Sequence, residues 1–585
     1  MSKTFKSIYS CLDRRLKTYL FIMILLSIIV PILELVGVAA IIPIIQISLN
    51  DFNFPEHHFL DVFFKIFTDE MNESLIIYLM IFFIFIFFVF KAFFLIFSEK
   101  FKLKYIKSLQ DNFSIKLYNT YIFSKYEDFS NLKFTEKNRN IGSVGSLTDY
   151  LNSCNQILVE TLFFLFIFSF LVQYSFKISL VVFAIFVVIS IIIYLLSKTK
   201  LLKYSSIRHS SSAKVVGNLL DVFYSLKEVI ILKRRNLFKN QFEINYSSMT
   251  QSSYKDGLIK FIPRNILELT VVSVILIIIT YIFFNNLSIN DNLELLGVFT
   301  FAMLKISLSA NKLLLAFQNL KSVKIPAKEI SKELIMFSHE EYNLQNQNEN
   351  NKNKLEFKKN INLKNINFTY SDSSKETLRD INLEIKKNKT IGLSGPSGSG
   401  KTTLINLILG FLKPTTGKVL LDNFDIHTDV LSWHNSIAYV PQDIFLFNDS
   451  IKKNILFGLD EKKIDNKEFD RVLKIVNLDE FINRLDKGLD TNAGEKAAKL
   501  SGGQAQRIGI ARSILLDKEI LFLDEATSKL DESNEYEIIQ NLIEKLGGKK
   551  TIIIISHRDK TLEKFCDEIY DLSNNKLTLK YTKKL

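Results

Sequence analysis

The 585 residues contain three cysteines, Cys11, Cys154 and Cys566, scattered along the chain and odd in number. That excludes a disulfide framework and any Cys/His metal spacing, and it points to a reducing compartment for most of the soluble mass. Proline and glycine are also sparse, at 8 and 20 residues. The two longest stretches between apolar runs, 98–150 and 197–262, carry no Pro/Gly cluster to break them. They begin and end with helical periodicity, so the expectation is two long helical hairpins with tips at 129–140 and 217–229.

Apolar residues are abundant. The chain is 48% hydrophobic, with 51 phenylalanines and a mean hydropathy of +0.16. Six runs, 19–49, 75–97, 157–172, 178–196, 266–284 and 293–317, are mostly near the roughly 20 residues a bilayer needs. The first is interrupted chiefly by Pro31, Glu34 and Pro43, and it is too long for a signal-peptide core. Lysine and arginine gather in the two long loops, for example Lys100, Lys102, Lys104, Lys107, Lys233, Arg234 and Arg235. The positive-inside rule then puts the N-terminus, both long loops and everything after the sixth run in the cytoplasm. Topology thus explains the net charge of +13, and no nucleic-acid partner is expected.

Residues 1–18 place Phe5, Ile8, Leu12 and Leu16 at helical spacing among basic residues, which suits an interfacial helix. The outer segment 52–67, rich in Phe, suits a short helix on the opposite surface. After Lys321 hydrophobicity falls, and 343–354 is polar and of low complexity. From 355 onward β-like and helical runs alternate, as in an α/β domain. The expected order is an interfacial helix at 1–18, an α-helical six-span transmembrane domain at 19–320, a linker at 321–354 and an α/β P-loop domain at 355–585.

The chemistry is concentrated in that last part. Gly395-Pro396-Ser397-Gly398-Ser399-Gly400-Lys401-Thr402, followed by Thr403, reads G-x-x-x-x-G-K-[ST] between a β-like run and an apolar helical run. Glycines there let backbone N–H groups turn in on phosphates, Lys401 adds charge, and the Thr402 hydroxyl can ligate Mg²⁺. The loop by itself does not separate an ATPase from a GTPase. The run 520–525 ends in Asp524 and Glu525, a metal carboxylate followed by a residue able to polarise water. Ser501-Gly502-Gly503-Gln504 opens another helical run, giving a second anion-binding helix start.

This set, in this order, closely resembles the ATP-binding cassette family, whose signature is Leu500-Ser501-Gly502-Gly503-Gln504. The resemblance implies ATP with Mg²⁺ as cofactors, Tyr370 stacking on adenine, Gln442 as a metal and catalytic contact, Asp531 in the D-loop and His557 as the γ-phosphate switch. It also implies head-to-tail pairing, with Ser501 and Gly503 of one copy completing the Lys401 site of another. One cassette per chain then means a homodimer. Gly494-Glu495-Lys496 resembles an exporter loop that touches hairpin tips. Taken together, these features imply a multi-pass protein of a bacterial inner membrane, with its N-terminus and nucleotide domain in the cytoplasm.

Charges inside apolar spans default to functional candidates. Here they are Glu34, Lys91, Glu160, Glu268 and Lys305. An unpaired mid-span ammonium costs about 2.5–3.5 kcal/mol, so Lys305 needs an anion, from the chain or from a ligand. Glu34-Leu35-Val36-Gly37 with Pro43, Pro263-Arg264 with Glu268, and Lys305 with Ser309, Asn311 and Lys312 resemble the flippases of polyisoprenyl-diphosphate-linked oligosaccharides. Lys305, Lys91 and Glu34 become the substrate candidates. An exporter of peptides or hydrophobic small molecules is the alternative, and intact Glu525 and His557 argue against an ATP-gated channel.

Overall fold

The computed structural model describes residues 3–40, 73–124, 126–127, 133–284, 293–350, 355–370, 373, 375–494 and 500–583. Among the described residues six helices are long and apolar enough to cross a membrane, Arg14–Ala39, Ile81–Phe123, Phe134–Tyr174, Phe176–Tyr224, Arg235–Phe284 and Leu296–Ile335, and they correspond in order to the six apolar runs; positions 41–49 of the first run lie outside the described residues. The full helices Glu73–Phe123, Phe176–Tyr224 and Arg235–Phe284 are 51, 49 and 50 residues long. At 1.5 Å per residue each is about 75 Å long, against a hydrocarbon layer of about 30 Å. They run well past a bilayer, as the lack of breakers predicts. Pro31, Pro263 and Pro326 sit inside helices, where neighbouring helices can satisfy the freed carbonyls.

The chain divides into two units, Met1–Ser124 with Ser130–Glu341, and Lys125–Phe129 with Tyr342–Leu585. The first boundary differs from the one expected at 321, because the sixth helix runs on from Leu293 to Asn350. Ala327, Ile330 and Leu334 recur at helical spacing and are buried among Tyr105, Leu109 and Leu147. Packing of this stripe outweighs the polar composition around it. A linker beginning at 321 is therefore replaced by continuous helix.

The N-terminal segment also departs from one interfacial helix over 1–18. A helix covers Lys3–Ser10, the chain breaks at 11–13, and Arg14 already starts the first spanning helix. Its apolar face turns inward, with Ile8, Leu12 and Leu16 buried beside Leu109, Phe113 and Leu117. Asp13 fixes the corner: Lys116 Nζ donates to Asp13 Oδ1 at 2.6 Å and Asn112 Nδ2 to Asp13 Oδ2 at 2.9 Å. The outer segment 52–67 and Pro43 lie outside the described residues. So do residues 129–132 of the first hairpin tip, the rest of which leads into a helix, Phe134–Gly142; the second tip carries a short helix, Leu226–Ile231.

The second unit contains two sheets. Strands β1 (Asn360–Phe368), β2 (Leu378–Lys386), β4 (Thr416–Leu421) and β5 (Phe424–Asp425) form an antiparallel sheet in the order β2-β1-β4-β5. The larger sheet takes β3 (Thr390–Ser394), β6 (Ile437–Val440), β7 (Ile520–Asp524), β8 (Thr551–Ile555), β9 (Glu568–Ser573) and β10 (Lys576–Thr582) in the order β10-β9-β3-β8-β7-β6. Every residue of β3, β7 and β8 is buried, which matches their continuous apolar runs and parallel pairing. Ile391, Phe522 and Ile553 of these strands pack with Leu404 and Ile408 of the helix Lys401–Ile408. That packing fixes the helix start against the sheet edge.

Candidate functional site

Four adjacent parallel strands end at one edge of the larger sheet. Leu393 is level with Ile555, Ile555 with Asp524, and Leu523 with Val440. The residues just beyond those ends are Gly395, His557, Glu525 and Gln442, so four motifs far apart in sequence arrive in one row. Ligands of open α/β sheets bind at such carboxyl ends.

Gly395, Gly398 and Gly400 have φ of 141°, 78° and 101°, a region that side chains rarely adopt. A Cβ on Gly395 would also lie 2.4 Å from the Leu572 carbonyl oxygen. Lys401 Nζ donates to the carbonyls of Gly395 at 2.7 Å and Pro396 at 2.9 Å, which holds the ammonium within the turn. Burial lowers its pKa against the pull of Glu525 and Asp524. Ser397 and Thr402 are exposed and Thr403 is buried. The Thr403 hydroxyl lies 3.0 Å from that of Tyr370. Tyr370 remains 42% exposed, so its ring is tied to the loop yet accessible to a planar base.

Asp524 is buried, and its pKa is raised by that burial although the Tyr439 hydroxyl donates to Oδ2 at 3.1 Å. A carboxylate in this setting is stabilised by a cation. Glu525 follows at φ 47°. Gln442 Nε2 donates to Glu525 Oε2 at 2.6 Å, and His557 Nε2 lies 2.8 Å from Oε1. Both oxygens of the candidate base are thus held from opposite strands. Among the described residues no three His, Cys, Asp or Glu side chains form a metal cluster. Thr402, Gln442 and Asp524 carry oxygen donors of the kind Mg²⁺ takes, since that ion commonly binds one or two carboxylates and completes its shell with phosphate and water.

Ser501 caps the helix Gly502–Leu515 in a reciprocal box: Gln504 N donates to Ser501 Oγ at 3.2 Å, and Ser501 N donates to Gln504 Oε1 at 2.8 Å. A Cβ on Gly503 would approach Leu530 Cδ2 to 2.7 Å, and one on Gly502 would lie 3.1 Å from Lys529 Cδ. These glycines let the signature sit directly on the segment after Glu525. Gln506 joins the two: it accepts from Lys529 N at 2.9 Å and donates to the Ser528 hydroxyl at 3.2 Å. Asp531 caps the helix Glu532–Leu546, and hydrogen bonds from Ser533 and Asn534 hold its pKa down to about 2. Glu495 and Lys496 lie outside the described residues. Sequence reasoning gave no role to Tyr439 or Gln506, since one is hidden in an apolar strand and the other reads as an ordinary helix residue.

In the first unit, a cavity of about 440 Å³ is lined by Glu34, Glu160, Lys305, Ser309 and Lys312 among other residues. Lys305 does have an anion: Glu34 Oε2 lies 3.2 Å from Lys305 Nζ and 2.9 Å from Lys91 Nζ. Glu160 accepts from Ser309 and Gln156, each at 2.6 Å, with Lys312 at 3.9 Å. Four of the five intramembrane charges therefore converge on two neighbouring clusters. Glu268 does not join them. It is exposed and pairs with Arg264 one turn away at 3.0 Å, so the stretch from Pro263 to Glu268 is no part of the cavity lining.

Residues 378–528 match the ABC transporter family. An ATP-dependent lipid A-core flippase of Vibrio parahaemolyticus is 41% identical over 213 residues, 36% of each chain. A putative multidrug export ATP-binding/permease protein of Staphylococcus aureus is 40% identical over 237 residues, 40% of each chain. The matches thus span little more than a third of the length of these curated relatives. Across nearly the whole chain there is a likeness of fold to a bacterial Atm1-family ABC exporter with ATP bound. Its TM-score is 0.70 at 19% identity, covering 97% of this chain and 94% of that one.

Proposed function

We propose that this chain, which carries an ABC transporter ATPase domain behind six spanning helices, is half of a homodimeric, ATP-driven exporter of a bacterial inner membrane. The observation that carries this reading is the clamp on Glu525, whose two oxygens meet Gln442 and His557 beside the Lys401 loop. When bound, ATP with Mg²⁺ supplies the phosphoanhydride bond and the charge neutralisation around it. The loop N–H groups and Lys401 would hold phosphate oxygens, and Thr402, Asp524 and Gln442 would hold the metal. Glu525 takes the proton of an attacking water, which His557 and Gln442 help to place. Ser501 and Gly503 of a second copy close the pocket over the phosphates.

The cargo we favour is a polyisoprenyl-diphosphate-linked oligosaccharide, moved from the inner to the outer leaflet with its tail left in the bilayer. Lys305, which lines the cavity and shares the Glu34 carboxylate with Lys91, supports an anionic headgroup, and one relative is named as a flippase of lipid A-core, another lipid-borne glycan. A peptide or hydrophobic-drug exporter is the second reading, supported by the relative named for multidrug export. Replacing Lys305 separates the two. Lys305→Ala should lose most flipping of a fluorescent lipid-linked oligosaccharide in proteoliposomes, and Lys305→Arg should keep much of it, because the charge is retained. Normal flipping by both variants would remove Lys305 from substrate handling.

A further inference from the structure

The cluster at Glu34 holds one more cation than its carboxylate balances. Its members come from three helices: Glu34 from Arg14–Ala39, Lys91 from Glu73–Phe123 and Lys305 from Leu293–Asn350. The two lysines are not equivalent. The Lys91 side chain is 8% exposed and lies over the Phe88 ring at 5.5 Å. Its ammonium is accommodated because Gly37, on the same helix face as Glu34, has no side chain; a Cβ there would lie 2.9 Å from Lys91 Nζ. The Lys305 side chain is 31% exposed and lines the cavity. Lys91 is therefore the built-in counterion of Glu34, and Lys305 is the surplus charge turned toward a ligand.

We propose that Glu34 is a built-in competitor for the anionic group of the substrate, and so sets the charge a substrate must bring. This rests on the reading of the cavity as the substrate site. An ammonium already held by a carboxylate gains little from a neutral headgroup or a second monoanion. A phosphate or diphosphate carries more charge per group and can take Lys305 over. Glu34 then keeps Lys91 as partner, so no buried carboxylate is stranded, a state that costs several kcal/mol when an ion pair is broken outright. The exchange also replaces a link between the sixth helix and the first two with a link to the substrate. Glu34 is thus a specificity-determining residue, and Gly37 acts through the room it leaves for Lys91.

Two substitutions should move binding in opposite directions, a pattern that simple loss of packing does not produce. The probes are a C15 isoprenyl diphosphate and the matching C15 alcohol, titrated against the full-length protein in nanodiscs. Glu34→Gln removes the competing charge, and the diphosphate should bind about tenfold more tightly. Gly37→Ala crowds the Lys91 ammonium and leaves Glu34 dependent on Lys305, so the diphosphate should bind several-fold more weakly. The alcohol should be unaffected by either. Equal or weaker diphosphate binding by Glu34→Gln, or shifts of the same sign in both variants, overturns the competition. Wild-type protein that prefers the diphosphate while neither variant shifts overturns the competition alone. Equal binding of diphosphate and alcohol by the wild type overturns the substrate reading, and the competition with it.

Discussion

Glu525→Gln should lower ATP turnover by about 10²- to 10⁴-fold, the usual worth of a positioned general base, while nucleotide binding persists. The carboxylate accepts a hydrogen bond on Oε2 from Gln442 at 2.6 Å, and its Oε1 lies 2.8 Å from His557 Nε2. An amide keeps the size and one acceptor but cannot take a proton from water. Lys401 is anchored by the carbonyls of Gly395 and Pro396, so its position does not rest on Glu525, although that charge is felt at the ammonium. A variant that binds ATP without cleaving it should accumulate as the closed dimer. Turnover and nucleotide binding measured on one preparation check this, and near wild-type turnover removes Glu525 from the role of base.

Ser501→Arg should abolish turnover at the pocket of the neighbouring copy. Ser501 stands at the start of a 14-residue helix and caps it with its own hydroxyl, so substitution there removes an anion-facing helix start and inserts a bulky side chain. In the head-to-tail arrangement that helix start completes the pocket whose Lys401 belongs to the other copy. A mixed dimer pairing Ser501→Arg with a chain bearing Lys401→Ala should then keep one intact pocket or none, depending on the pairing. If Ser501 acts in trans, both lesions fall in the same pocket and about half the activity survives. If it acts in cis, both pockets are damaged and activity is lost.

Much of this was legible in the sequence, and for physical reasons. A bilayer imposes one length and one composition, so the six spans were readable without neighbours. The phosphate loop depends on glycines that the backbone requires, as at Gly395, and those leave a mark in the sequence. The end of the sixth helix was not legible. A polar composition around 321–350 reads as a linker, and only the packing of Ala327, Ile330 and Leu334 shows why the helix continues. Nor was the partner of Lys305. Glu34 and Glu160 were equally available by sequence, and the choice of Glu34 depends on which helices lie side by side. Arg264 and Glu268 illustrate the opposite case, since charges near the start of a span satisfied each other across one helical turn.

The most direct test is ATP-dependent translocation in proteoliposomes containing a fluorescent lipid-linked oligosaccharide, comparing wild-type protein with Glu525→Gln. Wild-type protein should move the probe to the opposite leaflet only when ATP and Mg²⁺ are present, and Glu525→Gln should not move it. Wild-type protein that hydrolyses ATP without moving the probe, or Glu525→Gln that moves it as fast as wild type, would contradict the proposed function.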